Sequence, residues 1–189
     1  MAKLHRIFIA VNLNENIKKS LAVCEDKYLD LPGRWTRREN LHITLVFLGN
    51  ASDQEIIEIC KSINEVVLRH QPFNITLDKI CYDKMPPRMV WATGKNSAEL
   101  GALQKDLESA LYNFGGGAYD QRREYKFTPH ITLARITQTK LRQMEQEELP
   151  LIDDPVDQSL AVTSIELMES ELRRGGPKYT ILESFNLGK

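Results

Sequence analysis

His42-Ile43-Thr44-Leu45 and His130-Ile131-Thr132-Leu133 are the same tetrapeptide, met twice in a chain that holds only four histidines. Given one copy, ordinary residue frequencies make a second at one of the other histidines an accident on the order of 1 in 1000, so chance is a poor explanation. Strand side chains alternate between faces, which points His42 and Thr44 one way and Ile43, Leu45 and Phe47 the other. His130 and Thr132 stand in the same relation to Ile131 and Leu133. Each segment therefore sets an apolar face against a core and a His/Thr face toward something polar. Both lie in β-prone sequence, over 41–48 and 127–136, and the first is expected to stop at the Gly49-Asn50 turn signal.

Outward from these strands the order of elements repeats. A strand over 6–11 and a helix over 15–28 lead through Leu31-Pro32-Gly33 to the first motif. Ser52 or Asp53 then caps a helix with Ile56, Ile59, Ile63 and Val67 at helical spacing, before a strand over 73–82. In the second half come a strand over 88–93, a helix over 98–114 with Leu100, Leu103, Leu107 and Leu111 in one stripe, and the second motif. A helix over 139–148, a long strand over 160–172 and a returning strand over 179–187 complete the pattern. Arg6 and Arg88, the two motif histidines, and Phe73 and Leu160 lie 82, 88 and 87 residues apart. Such a steady offset indicates an internal duplication. The expected fold is α+β and bilobal, with two mainly antiparallel sheets lining a central cleft. It is one domain, 1–189, made of repeats at about 1–84 and 85–175 plus the C-terminal strand. Met85-Pro86-Pro87 is too short and rigid to be a domain linker.

Composition bounds the function. With 189 residues, 42% of them hydrophobic, the chain suits one folded domain. A formal charge of −1 argues against coating long nucleic acid, which needs many phosphate contacts, and leaves recognition of a single terminus open. Cys24, Cys60 and Cys81 are odd in number and match no metal-ligand spacing, so reduced thiols and no metal site are expected. The apolar run from Ile7 to Val11 is too brief for a signal-peptide core, and no stretch approaches membrane-spanning length. A cytoplasmic monomer with no cofactor is the expectation.

Two imidazoles titrating near neutrality form an acid/base pair, one activating water while the other protonates a leaving oxygen. Thr44 and Thr132 can each donate a hydroxyl hydrogen to a non-bridging phosphate oxygen. Without a metal-ligand cluster in the sequence, a strained cyclic phosphodiester is favoured over a relaxed one. The paired motifs, His42-Ile-Thr-Leu-Val-Phe-Leu-Gly and Phe127-Thr-Pro-His130-Ile-Thr-Leu-Ala-Arg135, resemble those of the 2H phosphoesterase superfamily. Arg6-Ile-Phe-Ile-Ala-Val, the 35–49 segment with Glu39-Asn-Leu-His, and the second motif are similar to the RNA 2′,3′-cyclic phosphodiesterases, also called LigT-like 2′-5′ RNA ligases. The likeness covers nearly the whole chain. It implies hydrolysis of an RNA 2′,3′-cyclic phosphate terminus to a 2′-phosphate, with reverse, ATP-independent 2′-5′ joining. It further implies that His42 is the proton donor, His130 the proton acceptor, and Thr44 and Thr132 the phosphate holders. Arg135 matches a phosphate-binding position of the family, yet strict alternation points it away from His130 unless the strand bulges. Its counterpart in the first half is Phe47.

Other residues carry plainer readings beside functional ones. Arg34, Arg37 and Arg38, and Arg122, Arg123 and Lys126, are either solvated basic turns or guides for RNA phosphates. Trp35 and Tyr119 are either base-stacking platforms or core and rim aromatics. Gly115-Gly116-Gly117 lacks the Lys-Ser/Thr of a P-loop and reads as a flexible connection. His5 reads as a polar strand-start residue, and His70 as a cation at a helix end. The competing functions are the same chemistry on a small cyclic nucleotide or ADP-ribose cyclic phosphate, a non-catalytic RNA- or nucleotide-binding module, and a pair of metal-ligating histidines.

Overall fold

The structure, a computed structural model, describes residues 3–95, 97–114, 127–174 and 176–188. Three helices form where polar caps meet apolar stripes. In α1 (Glu15–Lys27) the Asn14 side chain accepts the Ile17 N–H at 2.9 Å, and Ile17, Leu21 and Cys24 turn inward. In α2 (Asp53–Val67) Ser52 and Glu55 close a capping box over buried Ile59, Ile63, Val66 and Val67. Ser97 caps α3 (Ala98–Ala110), which buries Leu100, Leu103 and Leu107. The helix expected over 139–148 is instead a single turn, α4 (Gln138–Leu141), followed by a 3-10 turn at Gln146–Glu148. That stretch has no apolar stripe, and no residue of α4 is buried, so nothing stabilises a longer helix.

The strands are β1 (Leu4–Asn12), β2 (Gly33–Trp35), β3 (His42–Ser52), β4 (Phe73–Tyr82), β5 (Met89–Gly94), β6 (His130–Ile136), β7 (Asp153–Val162), β8 (Ser164–Arg173) and β9 (Gly176–Asn186). All pairings are antiparallel, in the order β7-β4-β5-β6-β3-β1-β8-β9, with short β2 added on β6. Two four-stranded half-sheets, β7-β4-β5-β6 and β3-β1-β8-β9, meet at one paired position, Ile43 with Ile131. These are the same residue of the two motifs, so the joint is a local two-fold. The long strand expected over 160–172 divides at Thr163, because β7 pairs with β4 in one half and β8 with β1 in the other. β4 likewise follows the first motif in sequence but joins the half-sheet of the second. This exchange of strands leaves neither half a self-contained sheet.

Ile43 and Ile131 are 1% and 0% exposed in the main core. Ile131→Ala removes buried methyl groups where the half-sheets meet, and the expected cost is about 2–5 kcal/mol in denaturant unfolding, with an unchanged m-value.

Both motif strands carry a bulge at the same place. Pairing with β1 jumps from Ala10–Thr44 to Ile9–Val46, leaving Leu45 extra, and pairing with β5 jumps from Trp91–Thr132 to Val90–Ala134, leaving Leu133 extra. The burial pattern is therefore identical over 42–48 and 130–136, with two adjacent buried residues, Leu45-Val46 and Leu133-Ala134, where alternation would allow one. Phe47 consequently faces the His42/Thr44 side and is 65% exposed, against the expectation that it packs with Ile43 and Leu45. Nor does β3 stop at Gly49. It continues to Ser52 through a second bulge at Leu48, where Gly49 takes φ 75°, a conformation that suits glycine.

Candidate active site

Strand geometry gathers the sequence-predicted residues on one side of the joint. Antiparallel register through Ile43–Ile131 sets His42 level with Thr132 and Thr44 level with His130. The bulge at Leu133 then turns exposed Arg135 onto the His130/Thr132 face. Its charge adds to the burial that disfavours protonation of both His42 and His130. Cross-strand Met89 supports it, the Arg135 Nη1 lying 3.6 Å from the Met89 sulfur. Phe47 occupies the matching position in the other half, so one lobe offers a cation where the other offers an aromatic face.

Each histidine is oriented by the backbone just before it. His42 Nδ1 lies 2.7 Å from the Asn40 carbonyl oxygen, and His130 Nδ1 lies 2.8 Å from that of Thr128. A carbonyl only accepts, so Nδ1 carries the hydrogen in both rings and Nε2 is the nitrogen left to exchange protons. His42 Nε2 stands 3.0 Å from Thr44 Oγ1, so the imidazole and the threonine hydroxyl of the first motif are in direct contact.

The ring surroundings differ between lobes. His130 stacks on Trp91, with centroids 3.9 Å apart and planes at 22°. His42 sits between Phe8, at 5.0 Å, and Tyr179, which meets it edge-on at 5.2 Å and 89°. Burial pushes His42 down to about 4; the Asn40 carbonyl opposes this, and the charges of His130, Lys18 and Arg135 add to it. Burial also lowers His130, with the Thr128 carbonyl opposing, Arg135 adding and Asp83 opposing. Both imidazoles are therefore neutral at pH 7.

A depressed His42 has a consequence for folding. The unfolded chain binds a proton near pH 6.5 that the folded chain refuses until about 4, so stability falls as pH drops through that window and is fully recovered above it. The loss reaches about 3 kcal/mol from this group. Urea unfolding between pH 4 and 7 should show a shallower decline for His42→Asn than for the unaltered protein.

Trp91 and Tyr179 are not singled out by the sequence, and Phe8 and Asn40 fall within the family-like segments Arg6-Ile-Phe-Ile-Ala-Val and Glu39-Asn-Leu-His without a role of their own. Trp35 packs against the main core, which is the plainer of its two readings. Arg34 sits on β2 opposite Arg135, Arg37 is exposed, and Arg38 approaches Glu15 at 3.8 Å. Gly115-Gly116-Gly117, Tyr119, Arg122, Arg123 and Lys126 lie outside the described residues. His5 is a buried link, its two ring nitrogens 2.7 Å from Glu169 and 3.0 Å from Asp53, while His70 meets Asp106 at 3.0 Å. Among the described residues no three His, Cys, Asp or Glu side chains converge as a metal site, and no helix is long and apolar enough to cross a membrane.

A sheet that joins two His-x-Thr strands about a local two-fold defines a class, the 2H phosphoesterases. Residues 19–174 match the sequence profile of the 2′-5′ RNA ligase superfamily, and the chain belongs to that family of enzymes. The RNA 2′,3′-cyclic phosphodiesterase of Thermotoga maritima is 31% identical over 185 residues, spanning 94% of this chain and 92% of its own. The crystal structure of TT0787 of Thermus thermophilus superposes with a TM-score of 0.81 at 25% identity, covering 97% of this chain and 98% of that one. E. coli LigT complexed with 3′-AMP gives a TM-score of 0.81 at 26% identity, covering 99% and 100%.

Proposed function

We propose that the protein hydrolyses the 2′,3′-cyclic phosphate at an RNA 3′ end to a 2′-phosphate, by acid/base catalysis between His42 and His130. The observation that carries this reading is the pair of identically bulged strands, which bring two His-x-Thr sets and Arg135 to one face across the Ile43–Ile131 joint. The names of the relatives agree with it, and E. coli LigT takes 3′-AMP in a matching fold.

In this mechanism His130 Nε2 takes a proton from water as the water oxygen bonds to phosphorus. The bond from phosphorus to O3′ breaks, and His42 Nε2 gives its proton to that oxygen. Solvent returns each ring to its starting state. Thr44, Thr132 and Arg135 stabilise the charge that grows on the non-bridging oxygens. His42 becomes a donor when the anionic phosphate binds, since a nearby negative charge draws a proton onto the ring. A 5′-hydroxyl in place of water forms a 2′-5′ linkage by the same steps, which is the ligation reading. Exposed Arg6 shares the Phe8 face of β1, further from the histidines, where an upstream RNA phosphate would meet it.

Product analysis on a short RNA ending in a 2′,3′-cyclic phosphate tests the reading. A 2′-phosphate end is expected, with slower turnover of the corresponding mononucleotide. A 3′-phosphate end, or binding with no product, would contradict it, and equal turnover of the mononucleotide would favour a small cyclic nucleotide as substrate.

A further inference from the structure

We propose that Asn40 and the β8–β9 hairpin form a brace that sets the His42 ring, with Asn40 and Tyr179 as positioning residues for proton transfer; the inference rests on the reading above. Asn40 holds two things at once. Its carbonyl accepts the His42 Nδ1–H at 2.7 Å, and its side-chain amide donates to the Pro177 carbonyl at 2.8 Å, 137 residues away. It is only 6% exposed, so that amide has little access to water as a substitute partner. Pro177 stands two residues before Tyr179, whose ring closes edge-on against both His42 and Phe8, the latter at 5.1 Å and 72°.

The hairpin turn has a second neighbour. Gly176 has φ 108°, a conformation that suits glycine, and the Arg34 guanidinium lies against it. The segment Gly176-Pro177-Lys178-Tyr179 thus meets Arg34 on β2, Asn40 just before β3, and the His42 ring that opens β3. His130 is supported differently, by Trp91 on the adjacent strand β5. The brace belongs to the His42 side, and it gives the two histidines unequal mechanical support.

A proton donor must aim Nε2 at the leaving oxygen, and misplacement by about 1 Å can cost on the order of 100-fold. Asn40→Ala and Tyr179→Leu are expected to lower kcat by about 10- to 100-fold on the cyclic-phosphate RNA while KM moves little; Tyr179→Phe, which keeps the ring, should stay near the unaltered protein. If the brace acts only through His42, neither substitution lowers kcat further in a His42→Ala background. Circular dichroism identifies any variant that fails to fold, and either Asn40→Ala or Tyr179→Leu suffices alone. Unchanged kcat in a folded Asn40→Ala, or an equal further loss when His42 is already alanine, overturns the brace. Absence of hydrolysis by the unaltered protein overturns the earlier reading instead, so the two failures are separable.

Discussion

His130→Ala is expected to lower kcat/KM on a 2′,3′-cyclic-phosphate oligonucleotide by about 10²- to 10⁴-fold, and His42→Ala by a comparable factor, with circular dichroism unchanged. His130 would be the group that deprotonates water, and hydroxide at neutral pH is too scarce to replace it. His42 would supply the proton without which O3′ leaves as an alkoxide. The hydrogen on each Nδ1 is committed to a backbone carbonyl, so no other nitrogen of either ring can take over. Groups that act in one transfer are not additive, and the double variant should be little worse than the poorer single one. Steady-state kinetics on the four proteins checks this. Independent, multiplicative losses would mean the histidines do not share a step.

Arg135→Ala should cost about 10²- to 10³-fold in kcat, the scale of losing one preorganised donor to a developing oxyanion. Arg135→Lys should recover only part of this, because a point charge lacks the planar fork of a guanidinium. A second readout follows from electrostatics. Burial holds both histidines below their ordinary range and the Arg135 charge adds to it, so removing that charge lets both rise somewhat and moves the kcat/KM profile toward higher pH. A loss in kcat with an unmoved profile would place Arg135 outside the site.

Why Arg135 is ambiguous in the sequence, and the His/Thr pairs are not, is a matter of where the information resides. His42-Ile43-Thr44 needs only alternation along one strand, and the repeat supplies a check. The bulge that turns Phe47 and Arg135 onto the His/Thr face is defined by the partners of β3 and β6, Ala10 and Ile9 on one side and Trp91 and Val90 on the other. No periodicity within a single strand encodes it. The helices α1, α2 and α3 can be read because caps and apolar stripes are local, whereas the region of α4 holds helix-forming residues without an apolar stripe, Leu141 alone of α4 packing partly against the core. The break at Thr163 is hidden for a related reason: β7 and β8 are both strand-like sequence, and only their pairing with β4 and β1 separates them. Tyr179 reaches His42 from distant sequence, and Asn40, though inside the Glu39-Asn-Leu-His segment, does so through a backbone carbonyl that its identity does not announce.

The division of labour between the two histidines is tested most directly with a cyclic phosphate carrying sulfur in place of the 3′ oxygen. A thiol ionises near pH 8.5, so the thiolate leaves without a donated proton. With His42 as donor, His42→Ala should turn over this substrate almost as fast as the unaltered protein while His130→Ala stays slow. Rescue of His130→Ala in its place, or no rescue of either, would contradict that assignment.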